Sequence, residues 1–317
     1  MKEADSLSWY ARKAALTTLP APAAPEVDTR RAGRIESLLR RLKAAGIKGS
    51  IRSMTLFTRS LPPGCRLCLK GQGSNLFVTG HCTRDCFFCF NEKPRKDELV
   101  VHGIPVDQPE EAAAIIERFD LRSVGISGGE PLLFPDRVLR LIRSLRALPR
   151  KLRIDLYTNG DRVDKEILQE LRSAGLDALR FNLVARDFSL APVRQALRYF
   201  KEVAVEIPVI PEQMPKLRGM VMDLDRMGVP FLNIHELFFC PENFDRVAAE
   251  GETPNAQTSK HLLWRPTQAS GEAALELLLY ALENTRRLSV YYCSCGTQEM
   301  ISRNGLLRRK RLNGKTA

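Results

Sequence analysis

Residues 76–90 read Leu76-Phe77-Val78-Thr79-Gly80-His81-Cys82-Thr83-Arg84-Asp85-Cys86-Phe87-Phe88-Cys89-Phe90. The apolar start of this stretch predicts a short β-strand, and the cysteines that follow have the spacing C-x3-C-x2-C. Three thiolates on one loop can hold three irons of a cubane cluster, which normally takes four cysteines. A metal position left open can bind a substrate, as catalytic zinc sites do. The spacing also leaves open a zinc knuckle with His81 or a distant cysteine as fourth ligand.

Composition limits the class of protein. The chain has 317 residues, 44% hydrophobic and 27% charged, which is enough for one large domain with extensions. No apolar run is long enough to cross a bilayer, and the first residues are too polar for a signal peptide. These features predict a cytoplasmic protein without a membrane partner. Eight cysteines in a cytoplasmic chain indicate metal ligands rather than disulfides.

The formal net charge of +12 is concentrated in two segments, residues 30–43 and 303–315. A solvated helix face and a basic tail would explain these segments without a partner. The functional alternative is an acidic or phosphate-bearing partner. No aromatic residue is interleaved with the basic tail, which disfavours a platform for single-stranded nucleic acid. The basic segments nevertheless leave nucleic acid open as a partner.

The sequence pattern divides the chain into three segments. They are residues 1–72, an N-terminal helical extension that ends with the C-x2-C pair Cys65 and Cys68; residues 73–240, a repeated alternation of strands and helices; and residues 241–317, with a long loop, a helix, the C-x-C pair Cys293 and Cys295, and the basic tail. The predicted strands of the middle segment are residues 75–79, 123–127, 152–157, 178–184, 203–210 and 231–239.

Strands that alternate with helices imply parallel strands joined by right-handed crossovers. Six units are too few for a closed eight-stranded barrel. The predicted fold is therefore α/β, a partial (β/α)6 TIM-like barrel with an N-terminal helical extension and a C-terminal cysteine-containing extension. In such sheets ligands bind at the carboxyl ends of the strands, which is where the cysteine loop lies.

The second predicted strand ends in Gly125-Ile126-Ser127-Gly128-Gly129-Glu130-Pro131. Its glycines let a ligand approach the backbone, and Glu130 offers an anionic acceptor. Because this segment follows one strand after the cysteine loop, the chain resembles the radical S-adenosylmethionine (SAM) superfamily. The resemblance covers about residues 75–239. Within that superfamily the chain is most similar to the branch related to pyruvate formate-lyase activating enzymes. The N-terminal extension and the additional cysteines distinguish it from the small activating enzymes.

The resemblance implies a set of cofactor-binding residues. It implies that Cys82, Cys86 and Cys89 hold a [4Fe-4S] cluster whose open iron binds SAM. The further SAM contacts that it implies are Phe88 near the adenine, the segment Ser127, Gly128, Gly129 and Glu130 at the methionine amino group, the ribose-contacting strand end with Thr158 and Asn159, either Arg180 or Asn182 toward the carboxylate, and Glu206 on the adenine-contacting strand. An Asn-Gly turn is the alternative for Asn159, and an exposed strand face for Asn182 and its neighbour Arg180.

The implied reaction is reductive cleavage of SAM to methionine and a 5′-deoxyadenosyl radical that abstracts hydrogen from a substrate. It requires an electron donor such as flavodoxin or ferredoxin. The motifs do not name the substrate, so a protein or peptide substrate and an RNA-modifying role both stay open. A non-enzymatic protein that binds zinc and nucleic acid is the hypothesis from a different class.

The other cysteines predict a second site. Cys65, Cys68, Cys293 and Cys295 together form a candidate four-thiolate auxiliary site for a second iron–sulfur cluster or zinc, with unrelated buried cysteines as the alternative. Cys240 follows the sixth predicted strand and is a ligand, a substrate-side thiol or a core residue. His235 and Glu236 end that strand as candidate acid–base groups, with a structural role as the alternative.

Overall fold

The structure is a computed structural model that describes residues 29–254 and 264–313. Its strands are β1 (Lys48–Ser50), β2 (Thr55–Phe57), β3 (Gly73–Phe77), β4 (Leu99–Val101), β5 (Ile104–Val106), β6 (Ser123–Ser127), β7 (Arg153–Thr158), β8 (Ala178–Phe181), β9 (Val203–Val209), β10 (Phe231–Glu236), β11 (Phe238–Phe239), β12 (Arg265–Pro266) and β13 (Ser289–Cys293). Its α-helices are α1 (Thr29–Ala44), α2 (Pro63–Leu69), α3 (Glu111–Arg118), α4 (Pro135–Arg146), α5 (Lys165–Ala174), α6 (Ala191–Ala196), α7 (Met214–Met227), α8 (Phe244–Ala249), α9 (Gln268–Asn284) and α10 (Cys295–Asn313).

One sheet runs through the described part of the chain in the order β1-β2-β13-β10-β9-β8-β7-β6-β3-β4-β5. The strands from β3 through β6–β10 to β13 pair in parallel, and the outer strands on both sides are antiparallel. The predicted partial α/β barrel of six alternating units is therefore confirmed. None of the helices in the described residues combines the length and apolar character that crossing a bilayer requires.

The sheet extends beyond the predicted middle segment. Strand β13 pairs in parallel with β10, from Phe231 opposite Ser289 to His235 opposite Cys293. Strand β2 of the N-terminal segment then pairs with the other edge of β13. The long loop predicted at residues 240–269 also contains β11, α8 and β12. Both flanking segments thus contribute strands: β13 covers the edge of β10, and β2 covers the edge of β13.

The helices that connect the parallel strands bury an apolar stripe against the outer face of the sheet. Helix α5 shows how local sequence sets such a helix. The side chain of Asp164 accepts a hydrogen bond from Ile167 N (2.8 Å) at its start, and Gly175 ends it at φ 97°. Along β7, Ile154 and Leu156 are fully buried on the outer side. Alternation therefore turns Asp155 and Tyr157 toward the inner side of the barrel.

The predicted basic tail is mostly helix α10, and it returns to the opposite side of the sheet. Arg308 contacts Asp120, Arg309 Nε donates to His102 Nε2 (2.9 Å), and Asn304 Nδ2 donates to Leu69 O (2.9 Å). On α1, Arg34 similarly pairs with Glu272 of α9. Several of the basic residues therefore have hydrogen-bond or ion-pair partners within the chain and do not need a nucleic-acid partner for them.

Leu278 tests whether helix α9 belongs to the common core. Leu278 is fully buried in that core, so Leu278→Ala should lower the free energy of unfolding by about 2–5 kcal/mol. Leu307→Ala is the matched control, because Leu307 is 45% exposed and the change should cost less than about 0.5 kcal/mol. Urea denaturation followed by circular dichroism measures both. Equal effects would contradict the packing of α9 described above.

Candidate active site

The cysteine loop follows β3 and is tied to the end of β7 by its polar residues. Arg84 forms a two-pronged ion pair with Asp161, with Nε–Oδ2 and Nη2–Oδ1 distances of 2.6 Å each. Thr83 Oγ1 donates to the same carboxylate (2.7 Å) and accepts from Asn159 Nδ2 (2.9 Å). Arg95 Nη1 donates to the Cys82 carbonyl (3.1 Å). The loop backbone is thus held in place by the protein itself.

The end of β6 approaches the cysteine loop closely because it carries two glycines. Gly129 N donates to Thr79 O (2.7 Å), and Glu130 N donates to His81 O (2.8 Å). A Cβ on Gly129 would lie 2.0 Å from the carbonyl oxygen of His81, so no larger residue fits there without displacing the loop. Gly128 has φ 131°, a conformation that favours glycine. The Gly-Gly pair therefore has a steric role in addition to any ligand contact.

Glu130 differs from its expected role at the methionine amino group. Its side chain is fully buried and does not line the cavity described below. Oε1 accepts from Thr158 Oγ1 (2.8 Å) and Leu132 N (3.1 Å), and Oε2 accepts from Asn159 N (2.7 Å). Burial raises the pKa of Glu130, although these donors act in the opposite direction. The carboxylate thus holds the ends of β6 and β7 together.

One cavity of about 830 Å³ brings together most of the predicted site residues. A volume of this size is within the range of small-molecule sites. The predicted residues that line it are Cys82, Cys86, Cys89, Phe88, Ser127, Gly128, Gly129, Thr158, Asn159, Asn182, Glu206, Cys65, Cys68 and Cys293. Glu130 and Cys295 are the predicted residues that do not. The spread of these residues over β3 to β13 is what a site at the carboxyl ends of parallel strands requires.

The inner wall of the cavity is a buried polar network centred on Arg180, which is 1% exposed. Arg180 Nε donates to Asp155 Oδ2 (2.8 Å) and Nη1 to Glu206 Oε2 (3.1 Å). Glu206 also accepts from Asn233 Nδ2 (2.9 Å), and its Oε1 lies 2.9 Å from His235 Nε2. The guanidinium is thus neutralised by two carboxylates. Burial would raise the pKa of Glu206, but these partners hold it at about 2.

The auxiliary cysteines are divided by the structure. Cys65, Cys68 and Cys293 line the cavity, and burial raises the pKa of all three, to about 12 for Cys68. Cys295 instead lies against Glu236, which accepts a hydrogen bond from Cys295 N (2.5 Å). Cys295 is therefore the member of the predicted four-thiolate set that does not line the cavity with the other three. Cys240 is fully buried outside the cavity, as a core residue would be.

Two structural contributions were missed by sequence reasoning. Helix α10 lines the cavity with Gln298, Ile301, Ser302, Gly305, Leu306 and Arg309. Their helical spacing was the available signal, but the basic residues of the segment pointed to a tail. The second contribution is apolar: Phe87 and Phe88 pack beside Leu237, Phe239 and Val247, and Asn243 Nδ2 donates to Phe88 O (3.1 Å). These contacts cover the cysteine loop on its outer side.

The comparison with known families agrees with this geometry. Residues 76–212 match the model of the Radical SAM superfamily. This part of the chain is a radical SAM domain. A radical SAM enzyme of this kind uses a [4Fe-4S] cluster and SAM, and the matched residues contain both the cysteine loop and the Gly-Gly-Glu segment.

Named relatives of this radical SAM enzyme fall into several groups. A protein of Methanocaldococcus jannaschii, named provisionally as a glycyl-radical enzyme activating enzyme, is 29% identical over 78% of this chain and 68% of its own length. A protein of Thermococcus kodakarensis, named provisionally as a GTP 3′,8-cyclase, is 33% identical over 33% of each chain. The structure of Streptococcus suis SuiB with bound S-adenosylmethionine has a TM-score of 0.45 at 13% identity, over 75% of this chain and 52% of SuiB. The chain thus spans a third of the second relative and about half of SuiB.

The three thiols of the cysteine loop fit a [4Fe-4S] cluster in which one iron has no protein ligand. Its three thiols are half-buried at the cavity wall, and no fourth cysteine is present between residues 78 and 98. Burial and the neighbouring thiols raise the pKa of Cys86 to about 11, so cluster binding must displace protons. Within the described residues, no three histidine, cysteine, aspartate or glutamate side chains already surround one point as metal ligands.

Gly129→Ala tests the close approach of β6 to the cysteine loop. The added Cβ collides with backbone oxygens of the loop, so the variant should bind less iron after anaerobic reconstitution. Iron and sulfide analysis measures the loss. Gly219→Ala is the matched control, because nothing lies within 4 Å of its added Cβ, and it should keep the wild-type iron content. Full iron content in Gly129→Ala would show that the loop can move without consequence.

The depressed pKa of Glu206 predicts an acid-sensitive fold. Its folded-state pKa of about 2 lies below the ordinary 4.5, so its contribution to stability is complete above pH 4.5 and is lost as the pH falls toward 2. The free energy of unfolding of Glu206→Gln should therefore fall less steeply over this range than that of the wild type. Urea titrations of the metal-free protein measure this, with Glu36→Gln on the exposed face of α1 as control. Parallel curves for all three proteins would contradict the prediction.

Proposed function

We propose that this radical SAM enzyme cleaves SAM reductively and uses the resulting radical to abstract hydrogen from a protein or peptide substrate. The observation that supports the cleavage most directly is the shared cavity. The three thiols of the cysteine loop, the Gly128–Gly129 backbone and the strand-end residues Thr158 and Asn159 all face it. When bound, the cluster and SAM supply a 5′-deoxyadenosyl radical. The chain's own residues position the cofactors and exclude water from the site.

The residues assigned to SAM have distinct tasks in this proposal. The Gly128–Gly129 backbone receives the methionine end, since no side chain stands between it and the cavity. Asn159 is already bonded to Thr83 of the cysteine loop, so it links the ribose-binding strand end to the cluster-binding loop. Phe88 provides the apolar surface for the adenine. Asn182, at the end of β8, faces the same cavity and is assigned to the SAM carboxylate.

A protein or peptide substrate is favoured by the relation to the named activating enzyme and by the surface around the cavity. Phe90, Phe238 and Trp264 line the cavity; Phe238 and Trp264 stack with ring centroids 4.3 Å apart, and Phe90 makes tilted contacts with both. Phe90 is 41% exposed. An exposed aromatic cluster of this kind binds peptide side chains. Radical transfer to a partner protein is consistent with these features.

The electron donor that we propose is an acidic one-electron carrier such as flavodoxin or ferredoxin. On the cysteine loop, Asp85 is surrounded by Lys93 (2.6 Å), Arg95 (3.3 Å) and Arg246 (3.3 Å). Three cations around one carboxylate leave this side of the loop positive. Complementary charge favours the encounter with an acidic carrier. We place the enzyme in the cytoplasm, where such carriers are found and where its eight free cysteines stay reduced.

Cluster stoichiometry and SAM cleavage test the proposal. Anaerobically reconstituted enzyme should contain about four irons per chain and release 5′-deoxyadenosine from SAM on reduction. The Cys82/Cys86/Cys89→Ser variant should lose both, whereas Cys240→Ser should keep both, because Cys240 lies outside the cavity. About eight irons would establish a second cluster at the other cysteines. Colourless protein that contains zinc and does not cleave SAM would overturn the proposal in favour of a zinc-binding protein.

A further inference from the structure

Three thiols line the cavity without a role in the proposed cleavage of SAM: Cys65, Cys68 and Cys293. Among them, Cys65 lies deepest in the polar network of the barrel. Its sulfur accepts from Asn233 Nδ2 (3.3 Å) and Arg180 Nη1 (3.8 Å). These two donors occupy the sulfur lone pairs and fix the side chain. The thiol proton is the group that stays available.

The position of Cys65 depends on the residue before it. A Cβ on Gly64 would lie 2.7 Å from Asp155 Oδ2 and 3.3 Å from Arg180 Nη2. Helix α2 can therefore enter the barrel only with glycine at this position. The consequence is that a thiol from the N-terminal segment reaches strands β7, β8 and β10 on the inner side of the sheet. Core packing alone would be served better by an apolar side chain than by a thiol bonded to charged groups.

We propose that Cys65 is a hydrogen-atom donor to carbon radicals formed in this cavity. An S–H bond is weaker than the C–H bonds of sugars and of aliphatic side chains, so transfer of hydrogen from sulfur to a radical on such a carbon is downhill. Cys65 and the three cysteines of the cysteine loop line the same cavity, so a radical formed there can reach the thiol. This inference rests on the proposed SAM cleavage and adds the residue that completes the reaction of the substrate radical.

The S–H bond of Cys65 breaks homolytically, a C–H bond forms on the radical, and a thiyl radical remains on sulfur. One electron from the same one-electron carrier that reduces the enzyme, with one proton from solvent, restores the thiol. Cys68 lies one helical turn further along α2, on the same side of the helix. The hydrogen bonds from Asn233 and Arg180 go to the sulfur of Cys65.

Deuterium transfer tests the donor without knowledge of the substrate. The holoenzyme is exchanged into D2O, reduced with titanium(III) citrate in a thiol-free buffer, and given SAM alone. Because thiol protons exchange with solvent and C–H hydrogens do not, 5′-deoxyadenosine quenched by Cys65 should carry one deuterium at its 5′ carbon. Mass spectrometry measures deuterium per molecule of product, which does not depend on the rate of cleavage.

Variants assign the deuterium to one thiol. Cys65→Ser should reduce the deuterium content to background, since an O–H bond is too strong to donate, and Cys65→Ala should do the same. Cys240→Ser should retain the wild-type content. Unlabelled product from the wild type, or loss of label in Cys68→Ser but not in Cys65→Ser, would overturn the assignment while leaving SAM cleavage intact. Absence of 5′-deoxyadenosine altogether would overturn the proposed function and this inference with it.

A labelling experiment provides a readout that does not depend on turnover. In the metal-free protein, methyl methanethiosulfonate is small enough to enter the cavity and should modify Cys65, as peptide mass mapping detects. Reconstitution with the cluster and addition of SAM should slow this modification, because they occupy the same cavity. Cys240 should react slowly in both states. Modification of Cys65 at the same rate with and without the cluster and SAM would contradict its place beside the reaction site.

Discussion

The candidate site depends on the burial of one carboxylate. Glu130 is fully buried, and its two oxygens accept hydrogen bonds from Thr158, Asn159 N and Leu132 N, while its own N–H binds His81 O of the cysteine loop. A buried carboxylate is costly unless such donors surround it. The cost therefore favours only arrangements in which the ends of β6 and β7 and the cysteine loop are all in place. The cysteine loop and the two strand ends therefore have one fixed arrangement beside the cavity.

A second constraint is the division of the barrel into an apolar outer layer and a polar inner one. The outer side of the strands packs under helices with residues such as Ile154 and Leu156. The inner side carries Asp155, Arg180 and Glu206, whose charges compensate one another. Paired buried charges tolerate little displacement, because a lost partner leaves an uncompensated charge. The interior is consequently rigid, and helices α2 and α10 close around it.

Much of this architecture could be predicted from local sequence patterns. The six strand–helix units of the middle segment follow from periodicities of two and about 3.6 residues, and α5 begins and ends at the cap residues that one would choose. The seventh parallel strand, β13, was harder to place in the sheet from sequence. Strand β13 reads as a strand in sequence, but its pairing with β10 depends on which edge the earlier strands leave free. Helix α10 was hidden by its basic composition, since its partners Asp120 and His102 are far away in sequence.

The sequence by itself determined the cysteine spacing, the Gly-Gly-Glu segment and the alternation of strands and helices, because each is a property of neighbouring residues. Only the tertiary structure decided how the same residue types are used. It buried Glu130 as a tie between strands, brought Cys65 into the cavity and turned Cys295 toward Glu236. The physical reason is that these outcomes depend on sheet order and helix packing. Both bring together side chains that are tens or hundreds of residues apart, and no local pattern records that distance.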